Sequence, residues 1–175
     1  MDIKKLVVDS TLLLAKKKNI ENITVQDILS VSGISRSTFY RHFEDKYDVL
    51  NWCYQLYVDE LISQFDGHNW EEKLEDTLLF VNIHGNYFTK LSHYEETNGF
   101  LAFLYLYTHD FYAGVYKRNV GVKALSEDIE RSLEFICGGA IMILLNWLRR
   151  GRKEKEAIIA KAIYSRLPVQ FREYI

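Results

Sequence analysis

The chain has 175 residues, 48% of them apolar and 26% charged, with a formal net charge of −2. That balance is the one of a soluble globular chain holding one cored domain or two small ones, and it excludes a strongly basic coat protein or a disordered polar tail. A single proline, Pro168, and only nine glycines leave long helices uninterrupted and hairpins short of turns, so the expected class is all-α.

Ile3, Leu6, Val7, Leu13 and Leu14 recur near the helical period and predict a first helix, closed by Lys16, Lys17 and Lys18 before Asn19. The opening MDIKKLVVDSTLLLAKKK lacks an unbroken apolar core and a small-residue cleavage site, so no signal peptide is expected. Thr24 precedes the apolar Val25, Ile28 and Leu29, with Asp27 three residues on in the manner of a capping box. A short second helix starts there and ends at Ser32 and Gly33, because glycine readily takes the positive φ that stops a helix. Ser35 then caps a third helix whose Phe39 and Phe43 lie one turn apart and join Ile34 on one side.

Asp45 caps a fourth helix carrying Val49, Leu50, Cys53, Leu56, Tyr57, Leu61 and Phe65, until the polar break Asp66-Gly67-His68-Asn69. Further helices are predicted near 70–93, 99–118, 125–150 and 153–167. Their breaks fall at 94–99, 119–121 and 150–152. The most apolar run, Phe135 to Leu145, falls short of the roughly 18 residues of a membrane span. It predicts a helix buried on most sides and no membrane partner.

Residues 1–52 hold eight Lys/Arg against seven Asp/Glu, while the remainder holds 14 against 17, so any nucleic-acid contact is expected in the N-terminal third. Two short helices joined by a glycine turn, the second capped by Ser35, form the helix-turn-helix pattern, in which the second helix enters the DNA major groove. With Phe39 and Phe43 turned into the core, Arg36, Ser37, Tyr40 and Arg41 point outward. Arg36 is placed for a bidentate contact to guanine or for phosphate, and Ser37 and Thr38 are short enough to approach bases. Tyr40 and Arg41 suit phosphate, and Lys46 and Thr24 stand at helix starts where the dipole favours an anion.

Residues 24–50, TVQDILSVSGISRSTFYRHFEDKYDVL, resemble the DNA-binding domain of the TetR family of bacterial transcriptional regulators. The shared pattern is a Thr-led short helix, a Gly turn with an aliphatic residue, Ser/Thr-aromatic-Tyr, a further aromatic, and a polar loop with Lys. The resemblance implies that Thr24, Arg36, Ser37, Thr38, Tyr40, Arg41, His42 and Lys46 face a double-stranded DNA operator. It also implies a helix-turn-helix domain over 1–47, a helical regulatory and dimerisation domain over 48–175, and a cytoplasmic homodimer. The stretch FICGGAIMILLNWLRRG is similar to a subgroup of the family that includes activators of dihydroxyacetone kinase operons.

Trp52, Phe80, Tyr87, Phe103, Tyr107 and Phe111 are candidates to line a pocket for a small apolar or aromatic effector, the alternative being plain core. A protein partner for the C-terminal part is the other option. Helix 125–150 is apolar on more than one face, with Gly138, Gly139 and Ala140 permitting close approach. Phe135, Ile141, Leu144, Trp147 and Leu148, with Ile159 and Ile163 of the next helix, are therefore the expected dimer contacts. The histidines show no metal-ligand spacing and no nucleophile set is recognisable, so no metal, cofactor or catalysis is expected. Cys53 and Cys137 sit in apolar helical patterns and are expected to stay reduced.

Overall fold

The computed structural model describes residues 2–64, 70–93 and 99–172, and its regular structure is all-helical. Phe65, the break at 66–69 and residues 94–98 of the second break lie outside the described residues. Helix α1, Ile3–Ala15, starts where Asp2 accepts hydrogen bonds from the N–H groups of Lys4 and Lys5, at 2.9 and 3.4 Å. A 3-10 turn, Ile20–Asn22, leads into α2, Val25–Ser32.

The start of α2 is a complete capping box. Thr24 Oγ1 accepts from the Asp27 N–H at 3.1 Å, and Asp27 Oδ2 accepts from the Thr24 N–H at 2.8 Å. Lys18 joins it at 2.8 Å, and this ammonium, with the two Thr24 donors, holds the Asp27 carboxyl down at about 2. At the other end Gly33 has φ 71°, a conformation a Cβ disfavours, and its N–H returns to the Leu29 carbonyl. Helix α3, Arg36–His42, is capped by Ser35, whose Oγ accepts from the Thr38 N–H at 3.1 Å. Helix α4, Lys46–Gln64, is capped by Asp45, which accepts from Tyr47 and Asp48 at 2.7 and 2.9 Å. The division drawn from sequence after residue 47 falls in the first turn of α4.

The remaining helices are α5, Trp70–Ile83; α6, Gly85–His93; α7, Phe100–Val120; α8, Glu127–Arg149; α9, Glu156–Tyr164; and α10, Val169–Arg172. The single helix predicted near 70–93 is thus two, broken at His84. The Arg152 guanidinium lies over Gly85 where any Cβ would overlap it, and its Nη1 donates to Thr89 Oγ1 at 2.8 Å. Arg149 Nη2 reaches the Ser92 carbonyl at 2.8 Å, so α6 is tied along its length to the end of α8 and the loop after it. The short α10 was not predicted; it starts after Pro168, which suits a first helical turn, and inserts the fully buried Phe171 against Ala113, Val115 and Leu133.

One apolar cluster runs without a gap from Val7 and Phe39 through Tyr54 of α4 to Leu148 and Ile163. Tyr54 is its hinge, meeting Phe88, Phe103 and Tyr107 edge-on at 6.1, 6.4 and 5.8 Å. Among the described residues α8 is the one helix long and apolar enough to cross a membrane by length and composition. Its Leu133, Cys137, Ile141, Leu145 and Leu148 are instead buried against the chain's own helices.

Candidate nucleic-acid interface

Two aromatic rings hold α3 from behind. Phe39 and Phe43 are buried with centroids 5.7 Å apart, and they pack with Ile28, Leu29, Val49 and Leu50. A helix of seven residues does not hold itself together in water, so these rings supply the burial that keeps it formed. What remains outward is Arg36, Ser37, Tyr40 and Arg41, all exposed, with Thr38 and His42 half-buried on the flanks. Tyr40 is 50% exposed, yet its ring sits edge-on to Phe39 at 5.3 Å and 86°, which fixes its hydroxyl on the outer rim.

The front is ordered by a chain of small contacts. Ser35 Oγ lies 2.8 Å from Thr38 Oγ1 and 3.1 Å from Ser37 Oγ. Arg36 Nη2 donates to Gln26 Oε1 at 3.4 Å, a weak bond that leans the guanidinium toward the start of α2. Gln26 was not selected from the sequence. The signal that finds it is its place two residues after the Thr24 cap, on the first turn of the helix preceding the turn. Thr24 is exposed, but its hydroxyl and N–H are both engaged with Asp27.

Lys46 is placed differently from its sequence reading. Its Nζ donates to the carbonyls of Ile20, Glu21 and Ile23 at 3.1, 2.9 and 2.9 Å, one acceptor for each N–H. Burial lowers its pKa, and the neighbouring Asp45 and Glu21 charges oppose that shift. The side chain ties the start of α4 to the 3-10 turn ahead of α2, and so sets the height at which Thr24 and Gln26 stand beside α3.

The pocket candidates are only partly brought together. Tyr107 and Phe111 line a cavity of about 90 Å³, in company with Tyr54, Trp70, Lys73 and Tyr112, which the sequence reading missed. Phe80 and Tyr87 are packed into core, Phe103 stacks on Tyr107 at 5.9 Å, and half-buried Trp52 lies under the Lys4 ammonium at 3.4 Å. The recurrence of Trp70, Lys73, Leu74, Thr77, Leu78 and Val81 on one face of α5 was the available signal.

Of the residues named for a dimer, Ile141, Leu144, Trp147, Leu148, Ile159 and Ile163 are buried within the single chain, because α5, α6 and α7 cover the inner face of α8 and α9. Trp147 Nε1 also donates to the Glu154 carbonyl at 3.0 Å. Phe135 is the exception, 84% exposed. It heads a stripe on the outer face of α8 that continues through exposed Gly139 and Met142, and with Gly139 it borders a groove shared with Ile163, Arg166 and Leu167.

Residues 7–52 match the family described as bacterial regulatory proteins, tetR family, and residues 68–167 match the family described as transcriptional regulator C-terminal region. A stretch of 70 residues is 29% identical to the HTH-type dhaKLM operon transcriptional activator DhaS of Lactococcus lactis subsp. lactis strain IL1403, covering 39% of this chain and 37% of that protein. The chain therefore matches little more than a third of that relative's length. Two solved structures share the fold. One is the dihydroxyacetone kinase operon activator DhaS, with TM-score 0.67, 17% identity, and 98% and 97% of the two chains covered. The other is a TetR transcriptional regulator from Streptococcus agalactiae 2603V, with TM-score 0.59, 22% identity, and 94% and 93% covered.

Proposed function

Because the chain belongs to the TetR family of bacterial regulatory proteins, we propose that it binds a palindromic operator as a cytoplasmic homodimer, and that an effector in its C-terminal part changes that affinity. Residues 1–47 read DNA and residues 48–175 regulate and pair. The observation that carries this reading is the outward front of Arg36, Ser37, Tyr40 and Arg41 on a capped helix anchored by Phe39 and Phe43. Arg36 reads base edges, while Tyr40 and Arg41 hold phosphate. Lys46 acts one step back, by positioning the 3-10 turn. Two such fronts about 34–36 Å apart meet successive major-groove faces.

The dimer uses the outer stripe of α8 and α9, with Phe135 as its anchor. The effector works by shifting a population between DNA-competent and incompetent spacings. Helix α6 is the element suited to carry that shift, since it is tied to the α8 end by Arg149 and Arg152, while Lys90 lies 3.8 Å from Glu21 of the DNA-reading part. A second reading, a DNA-tethered adapter whose C-terminal part binds a protein, is favoured by Leu79 and Ile83, exposed one turn apart on α5.

Selection of the intact chain on random duplexes tests the proposal. It is expected to enrich an inverted repeat with half-sites one helical turn apart or a multiple of it. Phe135→Asp, which sets a charge in the outer stripe, should enrich single half-sites at best. No enrichment by the wild-type chain would remove the operator reading, and an unchanged inverted repeat with Phe135→Asp would remove this choice of pairing face.

A further inference from the structure

A groove of about 200 Å³ lies between the end of α1 and one face of α6. Lys16, Lys17, Lys18 and Asn19 line one side and Asn86 and Lys90, one turn apart, line the other. The described lining contains no carboxylate. Helix α1 stops at Ala15, so Lys17 and Lys18 lie past it and the helix dipole does not account for them. Lys18 pairs with Asp27 at 2.8 Å and Lys90 lies 3.8 Å from Glu21, which leaves the group of four ammonium charges in excess among the described residues. Burial lowers the His84 pKa and the Lys16 charge lowers it further, so the positive field extends to the joint between α5 and α6. The polar groove at the turn between α7 and α8 is built differently, since Lys117, Lys123 and Arg131 line it together with Glu127, Glu130 and Glu134. Its charges are matched within the lining, and those of the first groove are not.

From this imbalance we infer that the groove between α1 and α6 binds the phosphate group of a small phosphorylated molecule, with Lys16 and Lys17 on one side of it and Lys90 on the other. Like charges drawn together from two distant segments repel, and an anion of more than one charge between them offsets that repulsion. An ammonium carries three N–H donors, so Lys18 and Lys90 keep donors beyond their carboxylate partners. A phosphate monoester brings about two negative charges and three acceptor oxygens to such a set, where a carboxylate brings one charge and two oxygens. The Asn19 and Asn86 amides add neutral donors. A ligand held from both sides ties α6 to the end of α1, and so carries the level of a phosphorylated compound to the helices that follow α1.

Size favours a small molecule over a duplex as the carrier of the phosphate. The groove exceeds the engineered hollow of about 150 Å³ that accepts benzene, so it takes a phosphate with a tail of about three carbon atoms whole, whereas a duplex would touch only its rim. The site shares no lining residue with the cavity of Tyr107 and Phe111, so the inference goes beyond the operator and effector reading and does not need it.

Calorimetric titration of the intact chain with inorganic phosphate and propyl phosphate, beside butanoate, all at one ionic strength made up with chloride, reads the preference directly. One phosphate per chain is expected to bind, about tenfold tighter than butanoate. Lys16→Gln/Lys90→Gln should weaken it about fivefold or more, and Lys123→Gln in the charge-matched groove should leave it unchanged. The proposal is overturned if the wild-type chain binds neither phosphate, or binds them no tighter than butanoate, or if Lys123→Gln weakens binding as much as the double variant does. A double variant that binds phosphate like wild type but flattens the salt dependence of duplex binding assigns these lysines to DNA, and overturns it too. The comparison of phosphate with butanoate needs no variant, so it stands even where the double variant does not fold. A chain that binds phosphate and enriches no duplex keeps this inference and loses the operator reading. One that enriches an inverted repeat and binds no phosphate does the opposite.

Discussion

Phe39→Ala is expected to cost about 3–5 kcal/mol, the range for emptying a buried aromatic site, and to abolish duplex binding at ordinary temperature. The ring is fully buried and contacts both Phe43 and Tyr40, at 5.7 and 5.3 Å, so one truncation removes the back support of α3 and the rest for its outer tyrosine together. Seven residues cannot keep helical form once that support is gone. For a chain of this length the loss corresponds to a drop of roughly 6–20 °C in Tm. Thermal melting and duplex titration of the variant check it, and a wild-type Tm would show that α3 is held by something other than these rings.

Lys46→Met separates two roles that sequence alone does not distinguish. A phosphate contact, when lost, leaves stability alone and makes the salt dependence of binding shallower by about one. An internal clamp behaves in the opposite sense. The Lys46 ammonium gives its three N–H groups to the Ile20, Glu21 and Ile23 carbonyls, and hydrogen bonds to a charged donor contribute about 1.5–3 kcal/mol each where water cannot replace them. Water reaches the exposed Glu21, so the expected loss is about 2–4 kcal/mol in total, with weaker DNA binding and an unchanged salt slope. Undiminished stability with a shallower slope would return Lys46 to the phosphate.

The caps were legible in the sequence because their chemistry is local. Thr24 with Asp27, Ser35, Gly33 and Asp45 each act within three or four residues, and the structure uses each as such. The outward set on α3 was legible for the same reason, since Phe39 and Phe43 fix which face is left. What was missed depends on long-range partners. The acceptors of Lys46 lie 23–26 residues away, and the Arg152 guanidinium that covers Gly85, beside the break in 70–93, comes from a distant part of the chain. On α8 an apolar stretch on several faces showed that partners were needed, without showing which faces the chain itself would cover. Most of the sequence-named contacts there went to the interior, and Phe135 stayed outside.

The reading of α3 as the DNA-facing element is tested most directly by the salt dependence of duplex affinity for the double variant Arg36→Ala/Arg41→Ala. Both side chains are exposed, so the fold should hold with a Tm close to wild type. Affinity should fall, the slope of log K against log salt should become shallower by about one for the Arg41 cation withdrawn from phosphate, and loss of the Arg36 base contact should blur sequence preference. If the double variant keeps both the wild-type affinity and the wild-type slope, DNA does not lie against this helix.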